Sequence, residues 1–90
     1  MAVSDSIEVE TTLRALLADT LGLPASRIAR CGEATALFGA LPEFDSMAVA
    51  TLLTGIEERF AVLIDDEDVD AEDFATFGTL LAFVRRKVLR

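Results

Sequence analysis

Ninety residues, 52% hydrophobic and 27% charged, make one small folded domain rather than a disordered segment. A net charge of −8 with no histidine argues against nucleic acid as a partner, because a phosphate backbone would be repelled. No apolar run approaches the roughly 20 residues that span a bilayer, and one cysteine, Cys31, leaves neither an internal disulfide nor a multi-cysteine metal site.

In chain order, Met1-Ala2-Val3-Ser4-Asp5 has no basic flank or apolar signal core, so a cytoplasmic protein is expected. Glu8 follows Asp5 at capping-box spacing. Val9, Leu13, Leu16, Leu17 and Leu21 then recur with helical period, and Gly22 and Pro24 stop that first helix. Leu23 to Phe44 shows no long periodic segment, and a structureless stretch of that length is unusual in a small domain. A short helical turn near Ala25–Ile28 is therefore expected, with Leu37, Phe38 and Leu41 as inward anchors. Cys31 reads as an inert loop cysteine.

A second long helix runs from about Ser46 to Arg59 or Phe60, with Val49, Leu52, Leu53, Ile56 and Phe60 as its apolar stripe. Gly55 inside it costs about 1 kcal/mol relative to alanine, a cost offset by a close helix contact or room for a ligand, or else simply tolerated. Ala61 to Asp70 reads as an acidic loop anchored by Val62 and Ile64. Ala71–Ala75 reads as a short helix burying Phe74. Thr76 caps the last helix, whose stripe is Phe77, Leu80, Leu81, Val84 and Val88, and whose end carries Arg85, Arg86, Lys87 and Arg90. No segment alternates like a strand. The expected class is all-α, with three main helices plus one short helix around a single core.

Charge is unevenly spread. Residues 1–45 carry seven acids and three bases, residues 46–76 nine acids and only Arg59, and residues 77–90 four bases and no acid. The acidic middle suits either a partner with a basic surface or a solvated face that keeps the protein soluble. Within it, Asp45 is a candidate N-cap, and Ser46 stands where the first N–H groups of a helix are unpaired and favour a negatively charged group. Other chemistry finds little support. Asp66, Asp68 and Asp70 mimic the first calcium ligands of an EF-hand, but Ala71 replaces its turn glycine and Phe77 its closing glutamate. No histidine, nucleophile elbow or cysteine–histidine pair supports an enzyme, and no metal site is expected.

Asp45-Ser46-Met47, followed by Leu52-Leu53, Ile56-Glu57-Glu58 and Phe60, resembles the phosphopantetheine attachment site of acyl carrier proteins. The resemblance extends through Val62 to Asp66 and through Phe74 to Phe77. It implies an acyl-carrier-protein-like bundle in which Ser46 takes 4′-phosphopantetheine from coenzyme A through a phosphopantetheinyl transferase that brings its own magnesium. The arm's thiol then holds an acyl group as a thioester for partner enzymes, and the carrier itself catalyses nothing. Asp45 would orient the helix start and help position metal-bound coenzyme A, and Met47 would give adaptable contact beside the arm. Glu57, Glu58, Asp65, Asp66, Glu67 and Asp68 would meet basic docking patches on acyl-loading and acyl-transfer enzymes, with the carrier a monomer. An interior lined by Leu52, Leu53, Ile56, Phe60 and the last helix would shelter the acyl chain, unless it is an ordinary packed core.

The pattern also departs from the family. General fatty-acid carriers usually place acids soon after the serine, where this chain has Ala48 and Thr51, so these two are expected on the solvent face. A specialised fatty-acid, polyketide or related pathway is implied. The run from Leu41 to Val49 looks like carriers of exosortase- or polysaccharide-associated clusters. A peptidyl or aminoacyl carrier, and an unmodified acidic helical interaction module, are the alternatives.

Overall fold

Helix α1 spans Ser6–Leu21 and turns Val9, Leu13, Leu16, Leu17 and Leu21 inward, all buried, as their spacing requires. The structure, a computed structural model, describes residues 6–88 apart from the side chains of Ser6 and Asp66. The expected pairing of Asp5 with Glu8 lies outside the described residues, as does Arg90. Gly22 takes a left-handed φ of 69°, and the Leu23 N–H donates back to the Ala18 carbonyl at 3.1 Å. That bond closes the helix with an orphan carbonyl satisfied.

Helix α2, Ala25–Ala29, starts after Pro24 and buries Ile28 alone. So short a helix has little stability of its own. Arg14 holds it from α1. Its Nη1 donates to the Ile28 carbonyl at 2.7 Å and its Nη2 to the Cys31 carbonyl at 3.0 Å. Glu10 orients the guanidinium from one turn back, at 2.8 and 3.1 Å, and the Phe77 ring lies under it at 4.3 Å. Arg14 thus stitches the long loop to the bundle.

The rest of that loop is fixed by an antiparallel bridge between Ala36 and Thr76. Leu37 N–H donates to Ala75 O at 2.8 Å and Phe77 N–H to Thr35 O at 2.9 Å. Gly78 N–H adds a bond to Glu33 O at 3.0 Å, and a Cβ on Gly78 would fall 2.7 Å from that same oxygen. Glycine is required there by the closeness of the two backbones. Leu37 is buried and Leu41 half-buried, as expected, but Phe38 is 41% exposed. Phe44 takes its place in the core and meets Phe38 edge-on, with ring centroids 6.1 Å apart. Phe44 also contacts Phe74 at 6.1 Å, and Phe74 meets Phe83 at 6.4 Å, an aromatic run joining this loop to the last helix.

Helix α3, Ser46–Phe60, buries Ala48, Leu52, Ile56 and Phe60, a strict row at every fourth residue. Val49 and Leu53 flank that row, half-buried. A Cβ on Gly55 would meet Leu16 Cδ2 at 3.1 Å, so close packing of α3 on α1 accounts for this glycine. The helix ends on Ala61 with φ 56°, a left-handed conformation in a residue that carries a Cβ.

Two short 3-10 segments, Asp66–Asp68 and Ala71–Phe74, lead to helix α4, Phe77–Val88. Thr76 caps α4 as its position predicts, with Oγ1 accepting the Thr79 N–H at 3.1 Å. Phe77, Leu80, Leu81 and Val84 are buried as read, and Phe83, absent from the predicted stripe, is buried too, packed beside Phe74. Among the described residues there is no strand, and the fold is all-helical. The short third element is present, as a 3-10 turn.

Candidate functional site

Asp45 sits in extended conformation just before α3, and its Oδ1 accepts the Ala48 N–H at 2.9 Å. The Asp45 carbonyl takes the first intrahelical bond, from Val49 N–H at 3.0 Å. Asp45 is therefore the N-cap and Ser46 the first helical residue, so the Ser46 hydroxyl is free of capping duty. The N–H groups of Ser46 and Met47 lie in the first turn, before the intrahelical ladder begins. Ser46 is exposed, and Met47 is 77% exposed beside it. A hydroxyl there is accessible, and a negative group on it would face the positive end of α3.

Ser46 also stands on the edge of a cleft of about 220 Å³ lined by Phe38, Val49, Val69, Asp70, Ala71 and Phe74. The cleft lies between the start of α3 and the second 3-10 segment, and its walls are mostly apolar. This differs from the expected shelter among Leu52, Leu53, Ile56 and Phe60. Leu52, Ile56 and Phe60 are buried in a closed core, and the open space is displaced toward the serine. Phe38 explains the shift: half out of the core, it forms a wall that the loop sequence gave no reason to expect.

Bringing the acids together separates them into two groups. Glu58 is exposed on α3, and Asp65 and Glu67 are exposed on the loop that follows. Glu57 is half-buried, and its Oε2 accepts the Ile64 N–H at 2.8 Å, which anchors the loop. Asp68 Oδ2 accepts the Asp65 N–H at 3.2 Å and pairs with Lys87 Nζ at 3.0 Å. Glu57 and Asp68 are thus committed within the molecule, while the Asp66 side chain lies outside the described residues. Ala48 requires a correction. It is only 8% exposed, because it heads the buried row of α3, whereas Thr51 faces solvent as expected. The lack of an acid at 48 therefore reflects packing.

Residues 11–85 match the family model for the phosphopantetheine attachment site. The solution NMR structure of a holo acyl carrier protein from Nitrosomonas europaea superposes with a TM-score of 0.75 at 37% identity, covering 87% of this chain and 92% of that one. The chain belongs to the acyl carrier protein family. It is a carrier, not an enzyme, and its cofactor is covalently attached 4′-phosphopantetheine. Carrier proteins of this family interact with a phosphopantetheinyl transferase and acyl-handling enzymes. The residues present fit such a group, offering an exposed hydroxyl, a helix N-terminus toward the phosphate and an apolar cleft alongside. No helix among the described residues is long and apolar enough to cross a membrane, and no cluster of acids and Cys31 there could hold a metal ion.

Proposed function

We propose that Ser46 is the attachment point and that the carrier presents acyl intermediates, as thioesters on the arm, to enzymes of a specialised fatty-acid, polyketide or related pathway. The observation that carries this reading is an exposed serine at the first turn of α3, freed from capping by Asp45 and opening on an apolar cleft. The arm supplies a thiol that holds the acyl group. Ser46 Oγ supplies the phosphodiester linkage, and the first turn of α3 stabilises its charge. Asp45 Oδ1 is engaged by Ala48, which leaves Oδ2 for the transferase's metal-bound coenzyme A. Met47 offers a flexible apolar contact next to the arm. The mobile thioester is delivered by tethering, which raises its effective concentration at partner sites.

Glu58, Asp65 and Glu67 would form the main docking charges for basic partners. The unpaired exposure of Thr51, in place of an acid, supports a partner set other than that of general fatty-acid synthesis. High net negative charge favours a monomer, and a carrier of this kind would work in the cytoplasm. Intact mass after incubation with coenzyme A and a broad-specificity transferase tests the site. The wild type should gain one phosphopantetheine, and Ser46→Ala none. A mass gain on the Ser46→Ala protein would move the site elsewhere.

A further inference from the structure

A second cleft, of about 210 Å³, lies between α2 and the loop that follows it. It shares no lining residue with the cleft beside Ser46. Its wall is apolar through Leu23, Ile28 and Leu41, while Arg27 and Arg30 stand along its edge. We propose that this cleft is a docking site for an acidic protein segment that inserts one aliphatic side chain between flanking carboxylates.

The volume selects the occupant. Pockets for drug-sized ligands run from roughly 300 Å³ upward, so this one suits a single side chain better than a free small molecule. The edge selects the sign. Arg30 is exposed and, among the described residues, has no ion pair. Arg27 meets Glu43 only at 3.9 Å, with both side chains substantially exposed, a weak contact that an incoming carboxylate can replace. Guanidinium groups bind carboxylates in paired geometry, which gives direction as well as attraction. The molecule as a whole is acidic and would repel such a partner at long range. Screening over about 8 Å at physiological ionic strength removes most of that repulsion and leaves the contact with the two arginines. The carrier then has two docking faces of opposite sign, one serving the arm and one able to hold a second protein.

The test is titration of the 15N-labelled full chain with a blocked pentapeptide, Asp-Glu-Leu-Glu-Asp. Amide shifts should centre on Ile28, Arg30, Cys31 and Thr35, with a dissociation constant on the order of 1 mM for so short a segment. Replacing the peptide's leucine by alanine, or substituting Arg30→Glu in the protein, should weaken binding at least tenfold. Among the described residues the exposed Arg30 side chain has no hydrogen bond or ion pair, so Arg30→Glu should leave the spectrum outside the cleft unchanged. No shifts, equal shifts with Lys-Lys-Leu-Lys-Lys, or shifts confined to the Ser46 cleft would overturn the proposal. Concentration-dependent shifts at Arg30 and Leu63 without peptide would also overturn it, assigning the cleft to a second copy of this chain, whose exposed Leu63 is followed closely by Asp65.

Discussion

Ser46 carries the proposed chemistry and little of the stability, because Asp45 performs the capping that a serine at a helix start usually provides. Ser46→Ala should therefore leave the melting temperature within a degree or two. Asp45→Ala, which strips the Ala48 N–H of its acceptor, should cost about 1 kcal/mol, or roughly 4–8 °C in a domain of this size. Thermal melts of the two variants check the division of labour. Two backbone positions make opposite predictions. Ala61 ends α3 in a left-handed conformation that costs a residue with a Cβ roughly 1–2 kcal/mol, partly offset in glycine by its freer unfolded chain. Ala61→Gly should raise the melting temperature by several degrees. Gly78→Ala should lower it, because its Cβ would meet the Glu33 carbonyl, a backbone atom unable to swing aside, at an overpacking cost of about 1–3 kcal/mol. The pair of melts separates conformational strain from steric crowding.

At the scale of elements, the long helices were legible because each has a buried row at helical spacing and a recognisable stop. The loops were less legible because long-range partners fix them. Nothing local marks Arg14 as the residue that ties α2 to α1, since Glu10 one turn back reads as an ordinary surface pair. Its acceptors, the carbonyls of Ile28 and Cys31, lie more than a dozen residues away. The exchange of Phe38 for Phe44 in the core has the same origin, because both are aromatic and only the bridge at Ala36 decides which turns inward. Ala48 departs from expectation for a different reason: alanine gives no sign of its side, and only the row through Leu52 and Ile56 settles it. The Asp45 cap beside Ser46 is legible because the two are neighbours in sequence, whereas the cleft wall from Val69 to Phe74 arrives from a distant part of the chain. Arg14→Lys, which keeps the charge but not the fork, should destabilise by on the order of 2 kcal/mol by leaving a carbonyl unmet. Amide exchange should rise first at Ile28 to Thr35, and uniform loss of protection would show that Arg14 serves the core rather than the loop. On the acidic face, Glu57→Ala should cost about 1 kcal/mol by freeing the Ile64 N–H. Glu58→Lys should not lower stability, since it removes a repelling acid, and should slow association with a basic partner.

Across the whole molecule, charge is arranged in two layers that salt should affect in opposite directions. The bases of α4 fold back on acids from other elements, with Lys87 on Asp68 at 3.0 Å, Arg86 on Asp73 at 3.6 Å and Arg85 on Glu10 at 3.6 Å. Lys87 and Arg86 clip the two ends of the segment that walls the Ser46 cleft, and Asp73 Oδ2 also accepts the Asp70 N–H at 2.9 Å. These contacts are shorter than or close to the Debye length even in strong salt, which falls from about 10 Å at 0.1 M to about 3 Å at 1 M. The remaining acids, Glu58, Asp65 and Glu67 among them, are exposed on one stretch of chain, and their mutual repulsion weakens as the screening length shortens over this range. Screening should therefore remove repulsion faster than it removes the clips, and the melting temperature should rise by several degrees between 0.1 and 1 M sodium chloride. The same screening should cut the association rate with a basic acyl-transfer enzyme by tenfold or more, since that rate depends on long-range attraction to the exposed acids. Melts and stopped-flow association over one salt series measure both. A melting temperature that falls with salt would mean that the clips at Lys87, Arg86 and Arg85 outweigh the net charge of −8. In that case Lys87→Ala should reproduce the loss at low salt.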